Sequence, residues 1–268
     1  MPFPRLVVSA LDVKICETFF LGTVLVSSGT QMTHTHSQPS RRLLDVLQVA
    51  FVVILLVSNL LAQKICRIGG LPVSGAILLF PITYIFGDVF TEVYGYAASR
   101  RAIWLGFFAT ALLYVAAALT IKLPADPGWH NQEAFSTVFG FIPRILVASL
   151  AAFWFGEFAN SYVMARLKLL TNGRWLWTRT VGSTVVGQAI DTSLVVVLTF
   201  GGIIPARTMF FMILSSYALK VGYEVLATPL TYAVIYALKR IEGGESFDRH
   251  TSFNPFRFSE RKAASSTE

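Results

Sequence analysis

AIWLGFFATALLYVAAALTI, residues 102–121, runs for 20 positions without an acidic or basic side chain. A helix of that length rises about 30 Å, the thickness of a bilayer's hydrocarbon core. Lipid offers no partner to a free backbone N–H or C=O, so such a run must be helical. The whole chain follows the same rule. Of its 268 residues 54% are hydrophobic, 14% are charged and 22 are Phe, and its mean hydropathy is +0.60. Soluble domains carry about 25% charged residues. This is the composition of an integral membrane protein.

Working outward, five more runs have the length of a span: 43–63, 71–94, 143–165, 180–204 and 209–238. The expected fold is an all-α integral membrane protein of six transmembrane helices, with a transport domain over 41–240. Basic residues crowd alternate connections: Arg100 and Arg101, then Arg166, Lys168, Arg174 and Arg179, then Lys239 and Arg240. The other connections carry only Lys64, Arg67, Lys122 and Arg207. That asymmetry puts both termini in the cytoplasm. It also accounts for the formal charge of +7 without nucleic acid as a partner; the partners are the lipid bilayer and a small solute. Cys16 and Cys66 have no metal-ligand spacing and read as free thiols.

Residues 1–40 form an N-terminal extension unlike the rest. Asp12, Lys14 and Glu17 interrupt its apolar stretch, and Met32 reads as an alternative translation start. The final stretch, 241–268, is polar and is expected to be a disordered cytoplasmic tail.

An ionisable group inside a span costs at least ~2.5 kcal/mol unless it is paired or hydrated. Asp88, Glu92, Glu157, Asp191, Lys220 and Glu224 therefore need a reason, as do the amides Asn59, Asn160 and Gln188. Gln188, Asp191, Lys220 and Glu224 fall near mid-membrane, whereas Asp88, Glu92, Glu157 and Asn160 fall nearer the cytoplasm. Two polar layers through a helical bundle suit a solute pathway. The central layer is the candidate binding site, with Asp88, Glu92 and Glu157 as pathway or gating groups. The alternatives are local: Asp88 and Glu92 pair with Arg100 and Arg101 beyond the turn at Gly95, and Lys220 pairs with Glu224 one turn on. Asp191 has no basic neighbour on its own helix and needs a partner from another, such as Lys220. Asn59 reads as an interhelical hydrogen-bond residue. Ala148, Ala152 and Gly156 form one small-residue seam, and Ser183 and Gly187 another. Tyr94, Tyr96, Trp104, Trp129, Trp175 and Trp177 read mostly as an aromatic belt. In the connection LPADPGWHNQEAFSTVFGFIPR, Asn131 and Gln132 beside Trp129 and Phe135 suit either a lid over a flat solute or an ordinary surface loop; spacing alone favours the loop.

None of His34, His36, His130 and His250 lies in a span, and there is no His/Cys cluster, so an intramembrane enzyme or a metal cofactor is not indicated. With no Gly-rich phosphate loop, ATP-driven transport would need partner chains.

Four segments in order, GDVFTEVYGYAASRRAIWLGF, WHNQEAFSTVFGFIPRILVASL, TRTVGSTVVGQAIDTSL and ALKVGYEVLATPLTY, resemble the queuosine precursor transporter family, earlier grouped as vitamin-uptake-type proteins. TEVYG followed by two arginines is the most telling, and the likeness covers about residues 45–238. It departs at residues 179–183, RTVGS, where an asparagine pair is expected before Gly-Ser. The resemblance implies import of 7-cyano-7-deazaguanine or its aminomethyl relative across the bacterial inner membrane for queuosine salvage. It also implies a fold similar to the substrate-binding components of energy-coupling-factor transporters. Another small heteroaromatic solute such as a vitamin is the alternative. Oligomerisation and an energising partner are left open. A deazaguanine presents a ring N–H and an amine, which a carboxylate accepts together, while Gln188 or Asn160 can serve its carbonyl. Lys220 would hold the central acids ionised, and Arg100 and Arg101 would fix orientation.

Overall fold

The structure, a computed structural model, describes residues 41–62, 64–68, 71–140, 143–249 and 251–257. The expectations for residues 1–40, including the start at Met32, lie outside the described residues. Among the described residues, five helical stretches are long and apolar enough to cross a membrane. They contain α1 (Leu44–Leu61), α3 (Tyr96–Lys122), α5 (Pro143–Leu170), α6 (Leu176–Phe200) and α7 (Ala206–Glu242).

The second expected span, 71–94, is the one that differs. Strands β1 (Ile65–Ile68) and β2 (Leu71–Ser74) pair antiparallel first, with Cys66 opposite Val73. Gly69-Gly70 between two apolar runs is a two-residue hairpin signal, and it outweighs the hydropathy there. A 3-10 turn (Gly75–Leu78), the short helix α2 (Phe80–Val89) and a π-helical turn (Phe90–Tyr94) then complete the crossing. All five residues of that turn are buried. The segment still joins the two ends of the bundle, since Gly75 N–H donates to Lys64 O at 2.7 Å and the Tyr94 hydroxyl donates to Glu242 at 2.7 Å. A further short helix, α4 (Gln132–Phe139), occupies the connection read as a loop and buries no residue.

Helices α5 and α6 cross at the small residues. A Cβ on Gly156 would stand 2.8 Å from the Asp191 Cβ, and one on Gly187 would stand 2.7 Å from the Asn160 Cβ. Ala148 and Ala152, two turns and one turn before Gly156, are fully buried. Close backbone approach needs side chains this small. Outward, α7 presents Phe210, Leu214, Leu219, Leu226 and Leu230, the apolar surface expected of a helix facing lipid.

The polar tail expected to be disordered is instead packed against the bundle through residue 257. Two helix N-termini lack a capping side chain of their own, because α1 starts after Leu43 and α3 after Gly95. Carboxylates from the C-terminal region supply the missing acceptors. Glu242 accepts from Arg42 N–H at 3.0 Å and Leu43 N–H at 2.9 Å, and Asp248 accepts twice from Tyr96 N–H at 3.0 and 3.1 Å. Negative charge at an N-terminus also meets the helix dipole favourably. Gly95 has φ +87, and a Cβ there would meet Ser246 Oγ at 2.8 Å, so the turn and the docked tail need glycine together.

Further along, Tyr96 donates to Phe253 O at 3.1 Å and Trp104 Nε1 to Pro255 O at 2.9 Å. The Phe256 ring packs on Trp104 and Trp154. Tyr94 and Tyr96 are buried and Trp104 binds the tail, so these three are not belt residues. Trp129, Trp175 and Trp177 are exposed, as a belt requires.

Gly187→Val is expected to force α5 and α6 apart and destabilise the protein by about 1–3 kcal/mol. Thermal unfolding in detergent should show a lower midpoint than Gly222→Val, whose added Cβ meets nothing within 4 Å.

Candidate solute-binding site

The separation forced between the helices on either side of the α5–α6 crossing leaves a cavity of about 450 Å³. Phe51, Phe80, Tyr84, Tyr114 and Phe153 give it aromatic walls. Its polar lining includes Asn59, Glu157, Asn160, Gln188, Asp191, Lys220 and Glu224. Seven of the residues singled out from the sequence therefore meet around one space, although they come from four helices, α1, α5, α6 and α7. The two polar layers become one. Glu157 and Asn160 of α5 line the same cavity as Gln188 and Asp191 of α6 and Lys220 and Glu224 of α7.

Lys220 Nζ donates to Asp191 Oδ2 at 2.5 Å, so Asp191 takes its partner from α7, and Lys220 is not paired with Glu224 on its own helix. The pair is partly open, with side-chain exposures of 32% and 23%. Around it several acceptors lack a partner. Asn160 Oδ1, Gln188 Oε1 and Thr110 Oγ1 are buried without a hydrogen bond in the structure. Unmet buried acceptors cost about 1–3 kcal/mol each. A wall with such groups is suited to a flat ligand that brings N–H donors and stacks on rings. Sequence reading missed the aromatic lining and Thr110, whose hydroxyl is marked only by its place on α3.

Asp88 and Glu92 part company. Asp88 is 1% exposed, and neither carboxyl oxygen has a hydrogen bond of ordinary geometry, though the Asn160 side chain lies beside it. Glu92 is fully buried in a cluster of cations. Arg179 grips both its oxygens, Nε to Oε2 at 3.1 Å and an outer nitrogen to Oε1 at 2.7 Å. Lys239 donates to Oε1 at 2.7 Å, and Lys168 stands 3.7 Å away. Lys168 also donates to the carbonyls of Glu92, at 2.5 Å, and Ser246, at 2.8 Å. Glu245 of the tail bridges Lys168, at 3.0 Å, and Lys239. Glu92 is therefore the anchor of an ionic cluster, not an open pathway group.

The arginines after Gly95 pair with neither acid. Arg100 is buried and donates to Ser252 O at 2.8 Å and Asn254 O at 3.1 Å, holding the tail. Arg101 is exposed and lies 3.6 Å from Asp45. Asn131 and Gln132 stay apart from the cavity. Asn131 precedes α4 beside a separate shallow depression, and Gln132 donates to Ile121 O at 3.2 Å. Arg179, the first residue of the segment that departs from the expected pattern, is the partner of Glu92.

A family model described as a putative vitamin uptake transporter matches residues 74–234, which include all of the cavity's lining except the part from α1. The chain belongs to that family. Among curated members it is 33% identical over 178 residues to the probable queuosine precursor transporter of Bacillus subtilis (strain 168), covering 66% of this chain and 77% of that one. It is 27% identical over 136 residues to the queuosine precursor transporter of Escherichia coli (strain K12), covering 50% and 58%. No solved structure matches. Membership in a transporter family agrees with the expectation that the chain is not an enzyme. A cavity between membrane helices is where such a family would hold its solute.

Removing one partner of a buried ionic cluster leaves uncompensated charge and costs about 3–5 kcal/mol. Glu92→Gln is expected to lower the yield of folded protein in detergent sharply, well beyond the effect of Arg101→Gln at the exposed pair.

The tail's share is pH-dependent. Burial raises the Glu245 carboxyl, but Lys168 and Lys239 overcome this and hold it at about 2, below the ordinary 4.5. Its stabilisation is full above pH 4.5 and lost as pH falls towards 2. Pepsin cleavage after the last helix is expected to accelerate over that window, and to do so less in Glu245→Gln.

Proposed function

We propose that this protein imports queuosine precursors, 7-cyano-7-deazaguanine or 7-aminomethyl-7-deazaguanine, through the cavity between α5, α6 and α7. The observation that carries the reading is the cavity's lining. Unpartnered acceptors Asn160 Oδ1 and Gln188 Oε1 stand with carboxyls Glu157 and Glu224 between aromatic walls. A deazaguanine is flat, and its ring N–H and exocyclic amine need such acceptors side by side. Relatives named for queuosine precursor transport support the same solute.

Asp191 and Lys220 form a gated pair in this reading. Each can release the other to bind the solute, Asp191 its donors and Lys220 its carbonyl. The tail end of the bundle faces the cytoplasm, supported by the basic residues gathered there. An arrangement similar to the substrate-binding components of energy-coupling-factor transporters is the finer fold proposal, supported by six chain crossings around one cavity. A vitamin is the second reading, favoured by the description of the matching family model.

The test is salvage. The chain is expressed in a bacterium that cannot make 7-cyano-7-deazaguanine and lacks its own importer, and queuosine in tRNA is measured at low external base. Restored queuosine is expected. Asp191→Ala removes a charge-assisted contact of ~1.5–3 kcal/mol, so uptake at limiting solute should fall about 10- to 100-fold. Restoration unaffected by Asp191→Ala would discard this site. No restoration from protein present in the membrane would discard the solute and bring the vitamin forward.

A further inference from the structure

Asp88, Glu157, Asp191 and Glu224 stand together in the bundle interior with one cation, Lys220, and that cation is tied to Asp191. Three carboxyls remain. Among the described residues none of the three makes an ion pair. Glu224 and Glu157 are the groups whose charges act most strongly on Asp88, and Glu92 follows from its own segment. Asp191 and Glu224 act on Glu157 in turn, with Lys220 opposing them. Asn160 lies beside Asp88, and Thr184 beside Glu224. Among the described residues no cation forms an ion pair with Asp88, and Lys168, Arg179 and Lys239 are engaged by Glu92, one turn further on.

Asp88 is what turns a group of acids into a site. Its side chain is 1% exposed, both its oxygens lack a hydrogen bond of ordinary geometry, and it sits directly behind the cavity wall beside Asn160. Three like charges in a membrane interior would repel one another and forgo hydration. They are relieved by binding something small and positive. Asp88 has no room for an ion with a water shell, since it is closed off while Glu157 and Glu224 open to the cavity.

We propose that Asp88, with Glu157 and Glu224, is a proton-binding site that couples solute movement to a proton gradient. An O–H bond forms on a carboxyl oxygen with a proton taken from water on one side, and breaks by release to water on the other. Glu157 and Glu224 touch the solute space, so a solute whose donors need an ionised acceptor changes how many protons the three acids hold. The proposal rests on the transport reading above, and its tests separate the two.

Purified protein in sealed vesicles would be given labelled 7-cyano-7-deazaguanine, with and without an outside-acid gradient of one pH unit and with the membrane potential clamped. Coupling of one proton per solute supports up to about tenfold accumulation. Accumulation abolished by a protonophore is expected, and in Asp88→Asn the ratio of uptake with and without the gradient should fall to about one. Simple equilibration by the unaltered protein, or accumulation driven by sodium instead, would overturn the proposal. So would a gradient response that persists in Asp88→Asn. If the base does not enter at all, the transport reading fails, and an independent measurement decides the proton site. The infrared C=O stretch of protonated carboxyls should be present at neutral pH without solute, shift in deuterated water and weaken in Asp88→Asn. Absence of that band overturns the proposal whatever is transported.

Discussion

The carboxylate of Glu92 is the point on which this architecture closes. It is fully buried, and it is matched by Arg179, Lys239 and Lys168. These cations come from the ends of α5, α6 and α7, so one side chain in the π-helical turn ties three spans together. Glu245 brings the chain beyond α7 into the same cluster. A charged network of this kind is tolerated in a membrane protein because its members satisfy one another. It fixes the position of residues 90–94, and hence of Asp88 one turn earlier, against the cavity wall.

The cavity depends on a second constraint, the contact of α5 and α6 at Gly156 and Gly187. At that point the backbones touch, each glycine standing within about 3 Å of its partner's carbonyl oxygen once a Cβ is imagined there. Asn160 packs on Gly187 and Asp191 on Gly156, and both line the cavity beside the crossing. Helices pressed together at one level and held by an ionic cluster at one end must separate elsewhere. The space that results is lined by the polar residues that the sequence could not afford to bury among aliphatic side chains.

Much of the fold was legible because the signal is local. Long apolar runs predict spans wherever they occur, and α1, α3, α5, α6 and α7 overlap the expected runs, the largest offset being the start of α3 at Tyr96 rather than 102. The segment 71–94 was misjudged because hydropathy averages over a window. It cannot see that Gly69-Gly70 permits a hairpin whose second strand takes the first four residues of the segment, leaving the helix to start only at Phe80. The tail was misjudged for a different reason. Polar composition predicts disorder only when no partner exists, and Asp248 and Glu242 find theirs at the bare N-termini of α3 and α1.

The candidate site divides along the same line. The sequence by itself determined that the chain lives in lipid, where its long apolar helices run, and which polar residues had to be explained, because the cost of a charge in hydrocarbon applies residue by residue. Only the tertiary structure decided which of those charges are paired within the fold and which are left without a partner. Glu92 meets Arg179 across 87 residues and Lys239 across 147, whereas Asp88, four residues before Glu92, meets no cation at all among the described residues. A helical pattern gives the face on which an acid lies; what waits opposite that face belongs to another helix, and no spacing within one segment contains it.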